Sequence, residues 1–322
     1  MRFLVAPDSF KGTFDAFEVA EAVAAGVERA GAEADRCPVA DGGEGTMEVL
    51  LGALGGERQT MAVQDPLRRQ ISAEFAHLGD GGTAVVETAR AAGLTLVAAE
   101  ERDAERADTY GAGELIAAAL ATGAETVLVA VGGSATSDGG RGAIEALGER
   151  GALEAAARIE VLCDVRTPFE DAARLFAPQK GADPAAVERL SDRLEEFAAE
   201  LPRDPRGVAM GGCAGGLSGG LWAYGARLRP GAAFVLDAVS FDRRLAAADA
   251  VISGEGRLDY QSFEGKVCGE IAERCAAAGK PLHLVVGEDA MGGGRPMTTA
   301  SVTEAESLED LQREAFELAA GR

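Results

Sequence analysis

At both ends of this chain, short apolar runs alternate with segments whose apolar residues recur every three to four positions. Arg2 to Ala6 reads as a buried strand. Asp15 then opens a helix with Glu18 three residues on, the spacing of a capping box, and Phe17, Ala20, Val23, Ala24 and Val27 follow at helical spacing. A second strand over Arg36 to Val39 and a helix over Gly45 to Leu54 repeat the unit. Near the other end come a strand at Ala250 to Ile252, a helix at Phe263 to Ala278, a strand at Leu282 to Val286 and a helix at Leu308 to Ala319. Such alternation constrains the fold to a parallel sheet, because parallel neighbours require crossover connections.

The middle of the chain follows another rule. Ile71 to Phe75 and Thr83 to Glu87 are short extended runs separated by Gly79-Asp-Gly-Gly82. Beyond them lie a helix at Glu114 to Ala121, a strand at Thr126 to Val131, a helix at Gly140 to Leu147, a strand at Ile159 to Cys163 and a polar-faced helix at Pro184 to Glu200. At 322 residues the chain also exceeds what one core normally holds. The expectation is a two-domain α/β protein. Residues 1–64 and 246–322 form a discontinuous Rossmann- or flavodoxin-like parallel-sheet domain, and residues 65–245 form a second, mixed α/β domain.

Fifty-three acidic against 31 basic residues give a net charge of −22. That excludes a sequence-independent nucleic-acid binder and a cationic membrane-surface protein, both of which need a basic face. Only Lys11, Lys180, Lys266 and Lys280 are lysines, so arginine carries the positive charge elsewhere. The acidic, lysine-poor surface suits a salt-rich cytoplasm, and a GC-rich genome that writes arginine for lysine explains it equally well. Five cysteines without a C-x-x-C pair, and only His77 and His283 beside them, argue against a disulfide framework or a zinc site. The strand-like N-terminus does not read as a signal segment, and a cytosolic protein is expected. Gly207 to Ala226 is uncharged and long enough to span a bilayer, but eight glycines make it a poor lipid segment. It reads as a helix packing closely on a neighbour or ligand.

Five segments concentrate Asp, Glu, Lys and Gly: 6–12, 40–46, 132–140, 177–181 and 253–259, the last continuing to Gln261 and Lys266. Four of them follow expected strands, where ligands of open α/β sheets sit. Glycine there lets backbone N–H groups approach an anion, and the next helix N-terminus adds its positive end. Three of the four lysines lie in these segments beside Asp8, Asp41, Glu44, Asp138, Glu255 and Asp259. Cation, carboxylate and glycine loop together suggest phosphoryl transfer. There is no Walker A motif, since Gly265-Lys266 is followed by Val267, and no G-x-G-x-x-G follows a strand. Gly216-Leu-Ser-Gly-Gly220 fits G-x-S-x-G, but no hydrophobic strand precedes Ser218.

Ala-Pro-Asp-Ser-Phe-Lys-Gly at 6–12, Pro-Val-Ala-Asp-Gly-Gly-Glu-Gly-Thr at 38–46 and Gly-Gly-Ser-Ala-Thr-Ser-Asp-Gly-Gly at 132–140 resemble the bacterial and archaeal glycerate kinase family. So do Cys-Asp-Val at 163–165, Ala-Pro-Gln-Lys-Gly-Ala at 177–182 and Gly-Glu-Gly-Arg-Leu-Asp-Tyr-Gln-Ser at 254–262, in the family's order. The resemblance implies a two-domain kinase, unrelated to P-loop enzymes, that phosphorylates D-glycerate with ATP, usually to 2-phosphoglycerate. The chain departs from the family pattern at Asp164-Val-Arg-Thr-Pro168 and is compressed after Leu147 and after Val286.

On this reading the active site lies in the cleft between the two domains, with ATP and Mg²⁺ as cofactors. Asp8, Lys11, Asp41, Asp138, Arg257 and Lys266 are the expected catalytic residues. Ser9, Gly42, Gly43, Glu44, Gly132, Gly133, Ser134, Lys180, Gly254, Glu255, Asp259 and Gln261 are expected to bind substrate or nucleotide. Asp41, Glu44 and Asp138 are the candidates for Mg²⁺ or for the base. The Gly132–Gly140 loop and the glycines of 211–220 would receive the nucleotide, and the protein would work as a monomer or homodimer. Two other classes remain: a non-catalytic sugar-acid-binding regulator, which would tolerate Asp41→Asn, and a serine hydrolase, which would not tolerate Ser218→Ala.

Overall fold

A computed structural model describes residues 1–263, 265–291 and 299–321. The chain divides into two compact units, Met1–Asp41 with Ala232–Arg322, and Gly42–Gly231. The expected boundaries near residues 64 and 245 therefore move to 41 and 231. At the first boundary a hairpin contributes: Gly56–Gln64 pairs antiparallel with Gln70–Leu78 along its whole length, which ties the residues just before 65 to the middle unit.

The first unit is built on five parallel strands in the order Thr299–Glu304, Leu282–Val286, Ala250–Ser253, Arg2–Val5, Glu33–Arg36. Numbered along the chain, this is the 2-1-3-4-5 order of flavodoxin-like sheets, and its switch point lies between Arg2–Val5 and Ala250–Ser253. The helix Ala16–Arg29 makes the first crossover. Asp15 accepts hydrogen bonds from the N–H groups of Phe17 and Glu18, and Glu18 accepts one from Asp15, so the expected capping box is present. Gly26 lets this helix press against Leu308–Ala319, since a Cβ there would lie 2.2 Å from the Gln312 carbonyl oxygen. Phe3, Val5, Val23, Ile252, Val285 and Leu311 fill the core between sheet and helices.

The second unit is a mixed six-stranded sheet in the order Gly56–Gln64, Gln70–Leu78, Thr83–Glu87, Thr126–Ala130, Ile159–Cys163, Arg227–Pro230. The first two pairings are antiparallel and the rest parallel. Its core gathers Val86, Leu115, Ile116, Val129, Val161 and Leu217.

The second strand of the first unit runs over Glu33–Arg36, ahead of the expected span, although Cys37 and Val39 go on donating their N–H groups to the Val5 and Pro7 carbonyls beyond its end. Residues 207–226 do not form one long helix. Met210, Ala214, Gly215 and Gly216 take positive φ, leaving a 3₁₀ turn at Cys213–Gly216 and the short helix Leu217–Ala223. Among the described residues no helix is long and apolar enough to cross a membrane.

Candidate active site

In the first unit the two strands at the switch point deliver their following residues side by side. Ser253 donates its hydroxyl to the Ala6 carbonyl at 2.8 Å, and the Asp8 N–H donates to the Gly254 carbonyl at 2.9 Å. Asp8 and Glu255 are thereby placed on neighbouring chain segments. Gly254 has no room for a side chain, since a Cβ would stand 1.8 Å from the Val285 carbonyl oxygen. Beyond these strand ends opens a pocket of about 510 Å³ lined by Asp8, Ser9, Lys11, Asp41, Glu255, Arg257, Asp259 and Lys266, with Phe10, Phe14, Glu288 and Glu306 around them.

Charge is concentrated and partly desolvated there. Asp8 and Asp41 are 5% and 2% exposed, and the half-exposed Lys11 pairs with Asp41 at 3.2 Å. Burial first, then the negative charge of Asp41, pushes the Asp8 carboxyl up to about 8, while Lys11 and the Ser9 N–H pull the other way. Burial likewise raises Glu255, which Cys268, Ser262 and Lys266 partly offset. Glu255 Oε1 is buried with no hydrogen-bond partner among the described residues. Lys266 stands at the N-cap of the helix Val267–Ala278, so a cation and a helix N-terminus meet at the pocket wall. Arg257 is exposed and lies 3.5 Å from Glu288. Asp259 organises its own turn, accepting from the Gln261 N–H at 2.9 Å, and Gln261 itself is exposed and does not line the pocket.

The other expected residues lie in the second unit. The Gly42–Gly43 segment packs directly on the loop 132–140. Val131 N–H donates to the Gly42 carbonyl, and a Cβ on Gly132 would lie 2.6 Å from Gly43 Cα. Gly133 takes φ +74 beside the Glu44 carboxylate. The glycines of 211–220 meet the same loop from another side: a Cβ on Gly215 would lie 2.0 Å from the Thr136 carbonyl oxygen, and one on Gly220 2.3 Å from that of Gly139. Backbone packing on a neighbour accounts for these two glycines.

Three expectations change here. Asp138 is tied into the loop by four hydrogen bonds: Oδ2 accepts from the Thr109 N–H and hydroxyl and from the Gly142 N–H, and Oδ1 accepts from the Gly140 N–H. It fastens the loop to the helix Arg141–Glu149 and to Thr109, a structural role beside the catalytic and metal-binding one expected of it. Among the described residues no group of three or more His, Cys, Asp or Glu side chains is placed to hold a metal. Lys180, expected to bind substrate or nucleotide, is 3% exposed and bonded to Ser134 Oγ and the Thr136 carbonyl, so it does not reach out to a ligand as an exposed ammonium would. Ser218 is fully buried and donates its hydroxyl to the Met210 carbonyl at 2.6 Å on a short helix with no strand before it, so it is no exposed nucleophile.

Comparison with known proteins settles the family. The profile of the Glycerate kinase family matches residues 3–157 and 150–320. The chain belongs to the glycerate kinase family. It is 37% identical over 326 residues to the glycerate kinase of Halalkalibacterium halodurans, with 90% of this chain and 86% of that protein covered. It is 36% identical to the glycerate 2-kinase of Escherichia coli, covering 89% of this chain and 85% of the relative. A crystal structure of a candidate glycerate kinase 2 from Salmonella typhimurium LT2 is similar throughout, with a TM-score of 0.81, 34% identity, and 100% of this chain and 98% of that one covered.

Sequence reasoning missed several residues of this glycerate kinase family member. Phe10 and Phe14 lie inside or beside a recognised segment but carry no charge to mark them. Glu306 follows the strand Thr299–Glu304, which was not expected. Glu87, at the carboxyl end of its strand, is buried and held by Arg90, and the N–H groups of Gly45 and Met47 face its carboxylate. An internal acid thus stands at the N-terminus of the helix Thr46–Leu54, where a ligand phosphate was expected. Part of the shortened region after Val286, residues 292–298, lies outside the described residues, as does Glu264 within the expected helix 263–278.

Proposed function

We propose that this chain transfers the γ-phosphoryl group of ATP to a hydroxyl of D-glycerate, giving 2-phosphoglycerate. The observation that carries this reading is the pocket at the switch point of the first unit. It pairs buried carboxylates with cations in a chain that matches glycerate kinases over nearly its whole length. A hydroxy acid suits such a lining, since its hydroxyls can donate to Asp8, Asp41 or Glu255 while its carboxylate lies against Lys11, Lys266 or Arg257.

Asp8 is the group best suited to take the hydroxyl proton. With the carboxyl pushed up to about 8, the ionised form is a far stronger base than an ordinary carboxylate but makes up only about one-tenth of the protein at pH 7, so turnover should rise with pH toward 8. Lys11 and Lys266 neutralise charge that develops as the phosphoryl group moves, and stabilisation of this kind dominates phosphoryl transfer. The nucleotide is assigned to the Gly132–Gly140 loop. ATP brings Mg²⁺ as its counter-ion, but the carboxylates expected to hold that ion do not fit as a set. Asp138 is engaged by four loop hydrogen bonds, Asp41 is paired with Lys11, and no group of three such side chains gathers among the described residues, so no step is assigned to a protein-held metal.

The test is ADP release measured with D-glycerate, L-glycerate, hydroxypyruvate and glycerol, followed by phosphorus NMR of the product. D-glycerate should stand well above the others, with a doublet from phosphorus coupled to a single carbinol proton. A triplet from a terminal phosphate would replace 2-phosphoglycerate by the 3-isomer. No glycerate-dependent release in low or high salt would end the kinase reading.

A further inference from the structure

Lys180 is physically anomalous. Its side chain is 3% exposed, and its ammonium has three N–H donors. One goes to Ser134 Oγ at 3.1 Å and one to the Thr136 carbonyl at 2.5 Å, both on the loop 132–140. Among the described residues no third acceptor lies within hydrogen-bond range and no carboxylate within 4.0 Å. The fields of Asp138, on the loop, and Asp164, after the strand Ile159–Cys163, reach it only from further away. A buried ammonium without an ion pair is costly and normally persists only when something compensates it. A second observation points the same way. Ser137, on the same loop and 1% exposed, has a hydroxyl with no partner among the described residues. The loop therefore lies against a buried ammonium that has no direct ion pair, and it carries a donor without an acceptor; an acceptor-rich anion satisfies both.

We propose that the Gly132–Gly140 loop is a phosphate-class anion site whose counter-charge is the buried ammonium of Lys180, kept for the ligand and not for the fold. This rests on the nucleotide assignment made above and deepens it. Lys180 acts as a positioning residue. It fixes Ser134 and Thr136 from beneath, and its charge gives the loop its preference for di- and triphosphates over neutral ligands.

The proposal separates stability from binding. A merely structural lysine, when removed, lowers the melting temperature. A charge held for a ligand, replaced by the similarly sized methionine, leaves the melting temperature of the ligand-free protein unchanged or raises it, because a buried charge without a direct ion pair has gone. The experiment is thermal melting and calorimetric titration with ADP and with pyrophosphate, on the full chain and on Lys180→Met. At pH 7 Lys180→Met should weaken both ligands at least 30-fold. Burial pushes the Lys180 ammonium down to about 8, so about nine-tenths of it is charged at pH 7 and about one-tenth at pH 9. The affinity of the wild-type chain should therefore fall about tenfold over that interval, and that of the variant should not. Ligand affinity in Lys180→Met within threefold of wild type, or a wild-type affinity that does not fall with pH, overturns the proposal. The pH series on the wild-type chain decides the question even if the variant does not fold. A wild-type chain that binds neither ADP nor pyrophosphate overturns both the loop's nucleotide role and this inference. Glycerate-dependent ADP release measured separately shows whether the kinase reading stands without them.

Discussion

Replacing Asp8 by asparagine should make this protein more stable at alkaline pH while disabling it. The folded chain holds the Asp8 proton up to about pH 8, against 3.8 for an ordinary aspartate, because the carboxyl is buried and faces Asp41. Below about pH 4 both folded and unfolded chains are protonated at this position, and the group costs nothing. As pH rises toward 8 the unfolded chain ionises while the folded chain does not, so stability is lost progressively across that window and stays lost above it. About four pH units at about 1.4 kcal/mol each put the loss near 6 kcal/mol. Asparagine escapes this loss. It replaces a carboxylic acid imperfectly, however, at about 1–3 kcal/mol for a strained or missing hydrogen bond. The variant should thus be slightly less stable than wild type at pH 4 and more stable by about 3 kcal/mol at pH 8.5, a rise in melting temperature of about 6–12 °C. Thermal unfolding followed by circular dichroism from pH 4 to pH 9 gives both curves, and they should cross. Kinase activity in the same variant should fall at least 100-fold, in line with the loss of a general base. Parallel curves, or a variant less stable than wild type at pH 8.5, would refute the claim that Asp8 is a strained carboxyl kept for chemistry.

Other consequences can be checked in the same preparations. Gly254→Ala should lower stability by about 3 kcal/mol or more, because its Cβ would press on the Val285 backbone and force two neighbouring strands apart; a melting temperature within 2 °C of wild type would contradict this packing. Ser218→Ala should cost about 1 kcal/mol for one buried hydrogen bond and leave turnover within twofold, whereas loss of activity would revive the hydrolase alternative. If the charge of −22 repels anionic substrates, about 1 M KCl, which screens beyond about 3 Å, should hold or raise kcat/KM; a steep fall would leave the acidity as a matter of solubility alone.

The chemistry of the first unit was largely legible. Asp8, Lys11, Asp41, Glu255 and Lys266 were marked by their place after strand-like runs and by the scarcity of lysine, and they line one pocket. What escaped has consistent physical causes. All four edge strands of the two large sheets were missed or displaced: Glu33–Arg36, Thr299–Glu304, Gly56–Gln64 and Arg227–Pro230. Edge strands face solvent and carry charged or polar residues against unwanted pairing, which erases the apolar pattern that reveals inner strands. Missing Gly56–Gln64 also misplaced the domain boundary. Residues 207–226 misled for another reason. Their four-residue glycine spacing suits a helix, but positive φ at Ala214 and Gly215 is set by contact with residues 136 to 139, far away in sequence. The same holds for Asp138, whose residue type fits phosphate chemistry while its hydrogen bonds, invisible in sequence, commit it to the loop's shape, and for the burial of Lys180 against that loop, which no local pattern announces.

Passage of a phosphoryl group from ATP to D-glycerate can be followed by the transfer of label from γ-³²P-ATP. The purified chain with D-glycerate should move the label into an acid-stable organic phosphate in step with ADP formed, and Asp8→Asn should move at least 100-fold less. Label that appears only as inorganic phosphate, or at the same rate without D-glycerate, would contradict the account.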